Sequence, residues 1–118
     1  YSNEELTHAN WAYQYLLDLD IKPITPSQEQ PQNDFKGLPN IIALSMAHEI
    51  KITEQCKSLS KACLNEGDVI TFVIAQKYIA EQIEELSKMN NLTDQLESFG
   101  DDKIALRLLD NYIGENLL

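Results

Sequence analysis

The sequence predicts an all-α chain, an up-down helical bundle with one long crossover connection and a short C-terminal helix. Three observations carry that expectation. Apolar residues recur three or four apart along nearly the whole chain. Only four glycines and four prolines interrupt its 118 residues. Three of those prolines, Pro23, Pro26 and Pro31, fall in the single stretch from Asp20 to Gly37.

The first helix is expected over residues 2–19, with Leu6, Ala9, Tyr13, Leu16 and Leu17 turned toward a core. It stops before Pro23. Residues 20–37 mix their prolines with Gln, Asn, Asp and Ser, which suits neither helix nor strand. Eighteen extended residues reach about 60 Å, whereas the helix that follows is only about 40 Å long. The loop can therefore travel the length of a bundle and let the helices on either side of it run parallel.

A second helix is expected over 39–65, opened by Pro39 in its first turn and ended by Gly67. Its stripe is Ile42, Ser45, Glu49, Ile52, Cys56, Leu59 and Cys63, so a glutamate falls inside a small or apolar face. A lone carboxylate there is costly unless something positive neutralises it. A third helix over 68–98 starts at the N-cap Asp68 and carries Phe72, Ala75, Tyr78, Gln82, Glu85, Met89, Leu92 and Leu96. Asn90 and Asn91 are expected to weaken or kink it. A short helix over 101–113 presents Ile104, Leu108, Leu109 and Ile113, with Gly114 following. The chain opens on Tyr1 rather than Met and enters helical periodicity at once, so a preceding N-terminal portion is expected to be absent from it or removed.

Composition narrows the classes of function. Nineteen Asp and Glu against nine Lys and Arg give a net charge of −10. With no basic stripe, nucleic acid and anionic membrane are not expected partners, while cations are attracted. No apolar run nears the roughly 18 residues of a membrane span, and no basic leader precedes an apolar stretch. Cys56 and Cys63 stand about 10 Å apart along one helix and cannot pair within it. A reduced, cytoplasmic setting is expected, with both thiols as small core residues.

The residues that carry chemistry recur at helical spacing. Glu5 and His8 form E-x-x-H, three apart on one helix face, so a carboxylate and an imidazole can reach one metal ion. Glu49 adds a second helix. Glu81, Gln82, Glu84 and Glu85 pack three carboxylates and an amide into less than two turns, where like charges repel unless cations lie between them.

The string Glu4-Glu5-Leu6-Thr7-His8-Ala9, then His48-Glu49, then Ala80-Glu81-Gln82-Ile83-Glu84-Glu85 resembles the second, third and fourth helices of prokaryotic non-heme ferritins, in that order. Gly100-Asp101-Asp102 and the amphipathic tail are similar to that family's short fifth helix. The resemblance implies iron storage: oxidation of iron(II) by oxygen or peroxide at a dinuclear centre, and deposition of ferric mineral inside a homo-oligomeric cage of twenty-four. It implies that Glu5 bridges two iron ions, that His8 ligates the first, and that Glu49 and Glu85 hold the second. Gln82 would stand near the oxygen-binding point. Glu4, Glu81 and Glu84, helped by Glu85, would form a third iron site.

Two departures accompany the match. The family's first helix supplies a further glutamate and a tyrosine, and nothing in this chain matches them; Lys77 stands where an aromatic residue is usual. Alternatives are an iron-binding or structural subunit without ferroxidase activity, and a helical interaction module that binds no metal. Glu85 is followed three residues later by Lys88 rather than histidine, which disfavours the rubrerythrin-like peroxidases and heme-binding bacterioferritins. His48 points about 100° away from Glu49 and reads as a surface residue. Trp11 and Tyr15 read as packing or subunit-contact residues.

Overall fold

In the computed structural model, which describes residues 2–100 and 102–116, the chain folds into four helices, and no strand occurs among those residues. They are α1 (Ser2–Asp18), α2 (Leu38–Glu66), α3 (Val69–Phe99) and α4 (Lys103–Asn116). Tyr1 and Asp101, the expected start of the last helix, lie outside the described residues. No helix among them is long and apolar enough to cross a membrane.

Side-chain bonds define the topology. Glu49 meets Gln82 and Ser60 meets Gln76, so α2 and α3 run antiparallel. His8 meets Glu81 and Tyr15 meets Thr71, so α1 is also antiparallel to α3. Hence α1 and α2 are parallel, and residues 19–37 carry the chain from the Thr71 end of α3 to its Met89 end, as the length of the segment predicts. The bundle measures 53 × 26 × 23 Å.

Local chemistry places the turns. Gly67 ends α2 in the left-handed region, at φ 70, and its N–H is directed to the carbonyls of Cys63 and Leu64. A side chain there would strain the backbone. Asp68 caps α3 by accepting from Thr71 N at 3.0 Å, and the bond from the Thr71 hydroxyl, with this backbone one, holds its carboxyl below the usual carboxylate range.

The apolar core lies at one end of the bundle. Ile42, Met89, Leu92 and Leu109 are buried together, with Leu38, Met46, Leu96, Phe99 and Ile113 packed around them. Toward the middle of α2 and α3 the buried residues become polar: Glu49, Thr53, Gln82 and Glu85. Beyond them come Ser60, Cys63 and Ala75.

Several faces differ from the expected ones. On α1 the residues that pack on α3 are His8, Trp11 and Tyr15. Leu6, Ala9, Tyr13 and Leu17 are exposed instead and Leu16 is half-buried, because the face of α1 turned to α3 is the one that carries His8, Trp11 and Tyr15. Thr53 and Ser60 are buried in α2 while Leu59 is exposed; both hydroxyls are satisfied by hydrogen bonds, which makes their burial inexpensive. Asn90 and Asn91 do not interrupt α3, since both side chains are exposed and leave the backbone ladder alone. On α4, Ile104 and Leu108 are exposed and Leu109 is buried. That helix also continues through Gly114 to Asn116.

Candidate metal centre

The polar middle of the bundle gathers side chains from three helices. From α3, the Gln82 amide donates to Glu49 Oε2 at 2.9 Å, to the Glu49 carbonyl at 3.3 Å and to Thr53 Oγ1 at 3.2 Å. Thr53 in turn donates to that same carbonyl at 2.8 Å. This fixes Glu49 against α3 with a neutral amide beside its charge. A cavity of about 480 Å³ opens next to the pair, and Glu5 of α1 lines it together with Glu49, Gln82, Ser45 and Ile52. His48, expected to be a surface residue, is exposed and also lines this cavity.

A second set centres on His8. Its Nε2 is 3.2 Å from Glu81 Oε2 and its Nδ1 is 3.7 Å from Glu5 Oε2. The imidazole thus lies between a carboxylate of its own helix and one of α3. Trp11 tilts against the ring at 5.0 Å between centroids, Tyr78 lies edge-on to Trp11 at 5.6 Å, and the Tyr78 hydroxyl donates to the His8 carbonyl. Burial pushes the Tyr78 phenol above its ordinary value. The Lys77 ammonium is 3.7 Å from the centre of the Trp11 ring. Lys77, at the position where the resemblance leads one to expect an aromatic residue, thus packs on an aromatic ring of α1.

The third set surrounds Glu85, the most deeply buried large side chain at 2 % exposure. Its Oε1 is 3.4 Å from Lys88 Nζ, and the same ammonium is 3.3 Å from Glu4 Oε2. Desolvation pulls the lysine down, but its hydrogen bonds and charge contacts with Glu4 and Glu85 together outweigh it and leave the ammonium above its ordinary value. The other oxygen of Glu85, Oε2, is buried without a hydrogen-bond partner.

Of the residues singled out in the sequence, Glu49, Gln82 and Glu85 are buried, His8 and Glu81 are half-buried, and Glu4, Glu5 and Glu84 are exposed. Glu5, Glu49 and Gln82 share one cavity. His8 with Glu81, and Glu85 with Glu4, form separate contacts beside it. Among the described residues, no three His, Cys, Asp or Glu side chains converge closely enough to hold one metal ion. Thr53 and Lys88 belong to the arrangement and were not anticipated as parts of it. The spacing signals were available: Thr53 follows Glu49 by one turn, and Lys88 follows Glu85 by three residues.

Hard carboxylate oxygens with one imidazole suit divalent iron, and an orphaned buried carboxylate oxygen is the kind of donor a cation satisfies. A helical bundle with a crossover connection and carboxylates at its centre is the architecture of ferritin-like bundles.

Comparison with known proteins agrees. The profile of the ferritin-like domain family matches residues 1–99. A bacterial non-heme ferritin of Campylobacter jejuni is 30% identical over 113 residues, which covers 96% of this chain and 68% of the relative. A bacterial non-heme ferritin of Escherichia coli is 28% identical, covering 93% and 67% respectively. Among solved structures, an open-pore ferritin from the archaeon Archaeoglobus fulgidus superposes with a TM-score of 0.89 at 26% identity, over 94% of this chain and 68% of that one. The chain belongs to the ferritin family, as a prokaryotic non-heme ferritin, and spans about two thirds of the length of these relatives.

Proposed function

We propose that this chain takes up iron(II), oxidises it at a dinuclear centre built from Glu5, His8, Glu49, Gln82 and Glu85, and passes ferric iron to a mineral store. Iron storage is the function that the ferritin relatives and structural neighbours support. The observation that carries the metal reading is Glu85, 2 % exposed, with a buried oxygen that no protein donor satisfies. Lys88 meets one oxygen of this carboxylate; leaving the other buried without a donor is expensive, and a ligated cation would offset that cost.

In this reading Glu5 bridges the two iron ions, His8 ligates the first, and Glu49 and Glu85 ligate the second. Gln82 holds Glu49 in place and stands where oxygen or peroxide arrives. Each iron(II) gives up one electron and the oxidant accepts them in pairs. Glu4, Glu81 and Glu84, with Glu85, form a third site through which iron leaves for the store. Glu5 and Glu81, which meet His8 here, would have to turn from it to reach a bound metal ion. Assembly into a cage of twenty-four copies in the cytoplasm completes the proposal; Leu6, Tyr13 and Leu17 of α1 are exposed apolar surface of the kind that protein contacts cover.

The separation of the donors into three sets favours a second reading, an iron-binding subunit that does not oxidise iron. Anaerobic titration with iron(II) followed by admission of oxygen decides between them. The proposal expects ferric absorbance to rise faster than in a buffer control, and to be lost in Glu85→Gln. A rise no faster than the control leaves only the binding role.

A further inference from the structure

We propose that Lys88 is a built-in counter-cation of the carboxylate cluster, one that an incoming metal ion must expel before Glu4 and Glu85 can act as ligands. The inference rests on reading Glu4 and Glu85 as cation ligands, and it adds a residue that sets affinity at that site.

The geometry is specific. One ammonium stands 3.3 Å from Glu4 Oε2 and 3.4 Å from Glu85 Oε1, linking α1 to α3 across the bundle. A divalent transition-metal ion binds carboxylate oxygens at about 2.0–2.2 Å. An ion held by these two oxygens would occupy the space in front of them that the ammonium now fills, with charges of the same sign a few ångströms apart. Both cannot be held together, so the lysine competes with the metal for the same acceptors.

Lys88 is suited to leave. Its side chain is 31% exposed, whereas that of Glu85 is 2% exposed. The flexible four-carbon stem can carry the ammonium into water while the buried carboxylate stays. The cluster is therefore neutralised in part by a charge that the protein itself supplies, and the single unpartnered oxygen of Glu85 remains as the point where a cation first gains. A monovalent ion gains little by replacing one unit charge with another. A divalent ion delivers twice the charge to the same oxygens, so the lysine sets a threshold that favours higher charge.

The full chain and its Lys88→Met, Lys88→Arg and Glu85→Gln variants would be titrated with zinc(II), which carries no redox chemistry, by isothermal calorimetry. Thermal melts with and without zinc give a second readout. Methionine keeps an apolar stem without the charge, and arginine keeps the charge. The expected result is that Lys88→Met binds zinc about tenfold more tightly than the parent and gains more melting temperature from it. Lys88→Arg should bind like the parent, and Glu85→Gln should lose the site. If the parent loses zinc on Glu85→Gln while Lys88→Met binds no more tightly, the counter-cation role is wrong and the ligand reading stands. Equal tightening in Lys88→Arg would also overturn it, because charge would not be the cause. Zinc binding that is indifferent to Glu85→Gln would overturn both readings.

Discussion

The side-chain amide of Gln82 donates to Glu49 Oε2 at 2.9 Å, across the seam between α3 and α2. Both residues are buried, and the same amide also meets the Glu49 carbonyl and Thr53. A neutral donor from α3 therefore fixes the position of a buried carboxylate of α2.

Gln82→Glu replaces that donor with a second anion in the same space. Two carboxylates this close cannot both be charged without a proton or a metal between them. The melting temperature at neutral pH is expected to fall by the equivalent of about 1–3 kcal/mol. Added zinc(II) should restore more stability to the variant than to the parent. Scanning calorimetry checks this, and an unchanged melting temperature would contradict it.

Glu85→Gln should act in the opposite direction. Removing a charge that is almost wholly buried, with one oxygen unpartnered, relieves a desolvation penalty, while Lys88 keeps Glu4 as a partner. The variant is expected to be more stable than the parent by roughly 1 kcal/mol without metal, and to gain nothing from added iron(II) or zinc(II). Denaturant titration measures both, and a variant that is less stable yet still stabilised by metal would contradict the placement of Glu85.

His8→Gln keeps a polar side chain beside Trp11 but loses the imidazole that reaches Glu81 at 3.2 Å. Iron oxidation is expected to slow by at least about tenfold, with a smaller change in melting temperature. Stopped-flow absorbance after mixing the iron(II)-loaded protein with oxygen gives the rate. An unchanged rate would remove His8 from the centre.

Asp68 predicts a pH dependence. Its hydrogen bonds to Thr71 depress its folded-state pKa, so its capping contribution is present above the ordinary aspartate range and is lost as pH falls through the lower folded value. Asp68→Ala should lower the melting temperature at neutral pH, and the gap between variant and parent should close on acidification. A gap that persisted in strong acid would contradict the assignment of the cap.

Much of this was legible in the residues because α3 is covered on both sides. Its stripe from Ala75 through Gln82, Glu85, Met89 and Leu92 is buried as its spacing implies. Glu49 was conspicuous as a carboxylate in an apolar register, and it is buried. The first helix was harder, since periodicity marks an apolar stripe without saying which element covers it. Leu6, Tyr13 and Leu17 form such a stripe and are exposed, while the residues that dock on α3 are His8, Trp11 and Tyr15, whose polar atoms hide them from a hydrophobic count. Lys88 was visible only as a missing histidine. Its role as partner of both Glu4 and Glu85 depends on a contact between helices 84 residues apart in sequence, which no local pattern encodes.

The most direct test is anomalous diffraction from crystals of this protein soaked in iron(II) without oxygen. The account predicts metal density between α1, α2 and α3, ligated by Glu5, His8, Glu49 and Glu85 with Gln82 alongside, and Lys88 turned out to solvent. Iron found only on exposed surface carboxylates, with Glu49 and Glu85 keeping their contacts to Gln82 and Lys88, would contradict it.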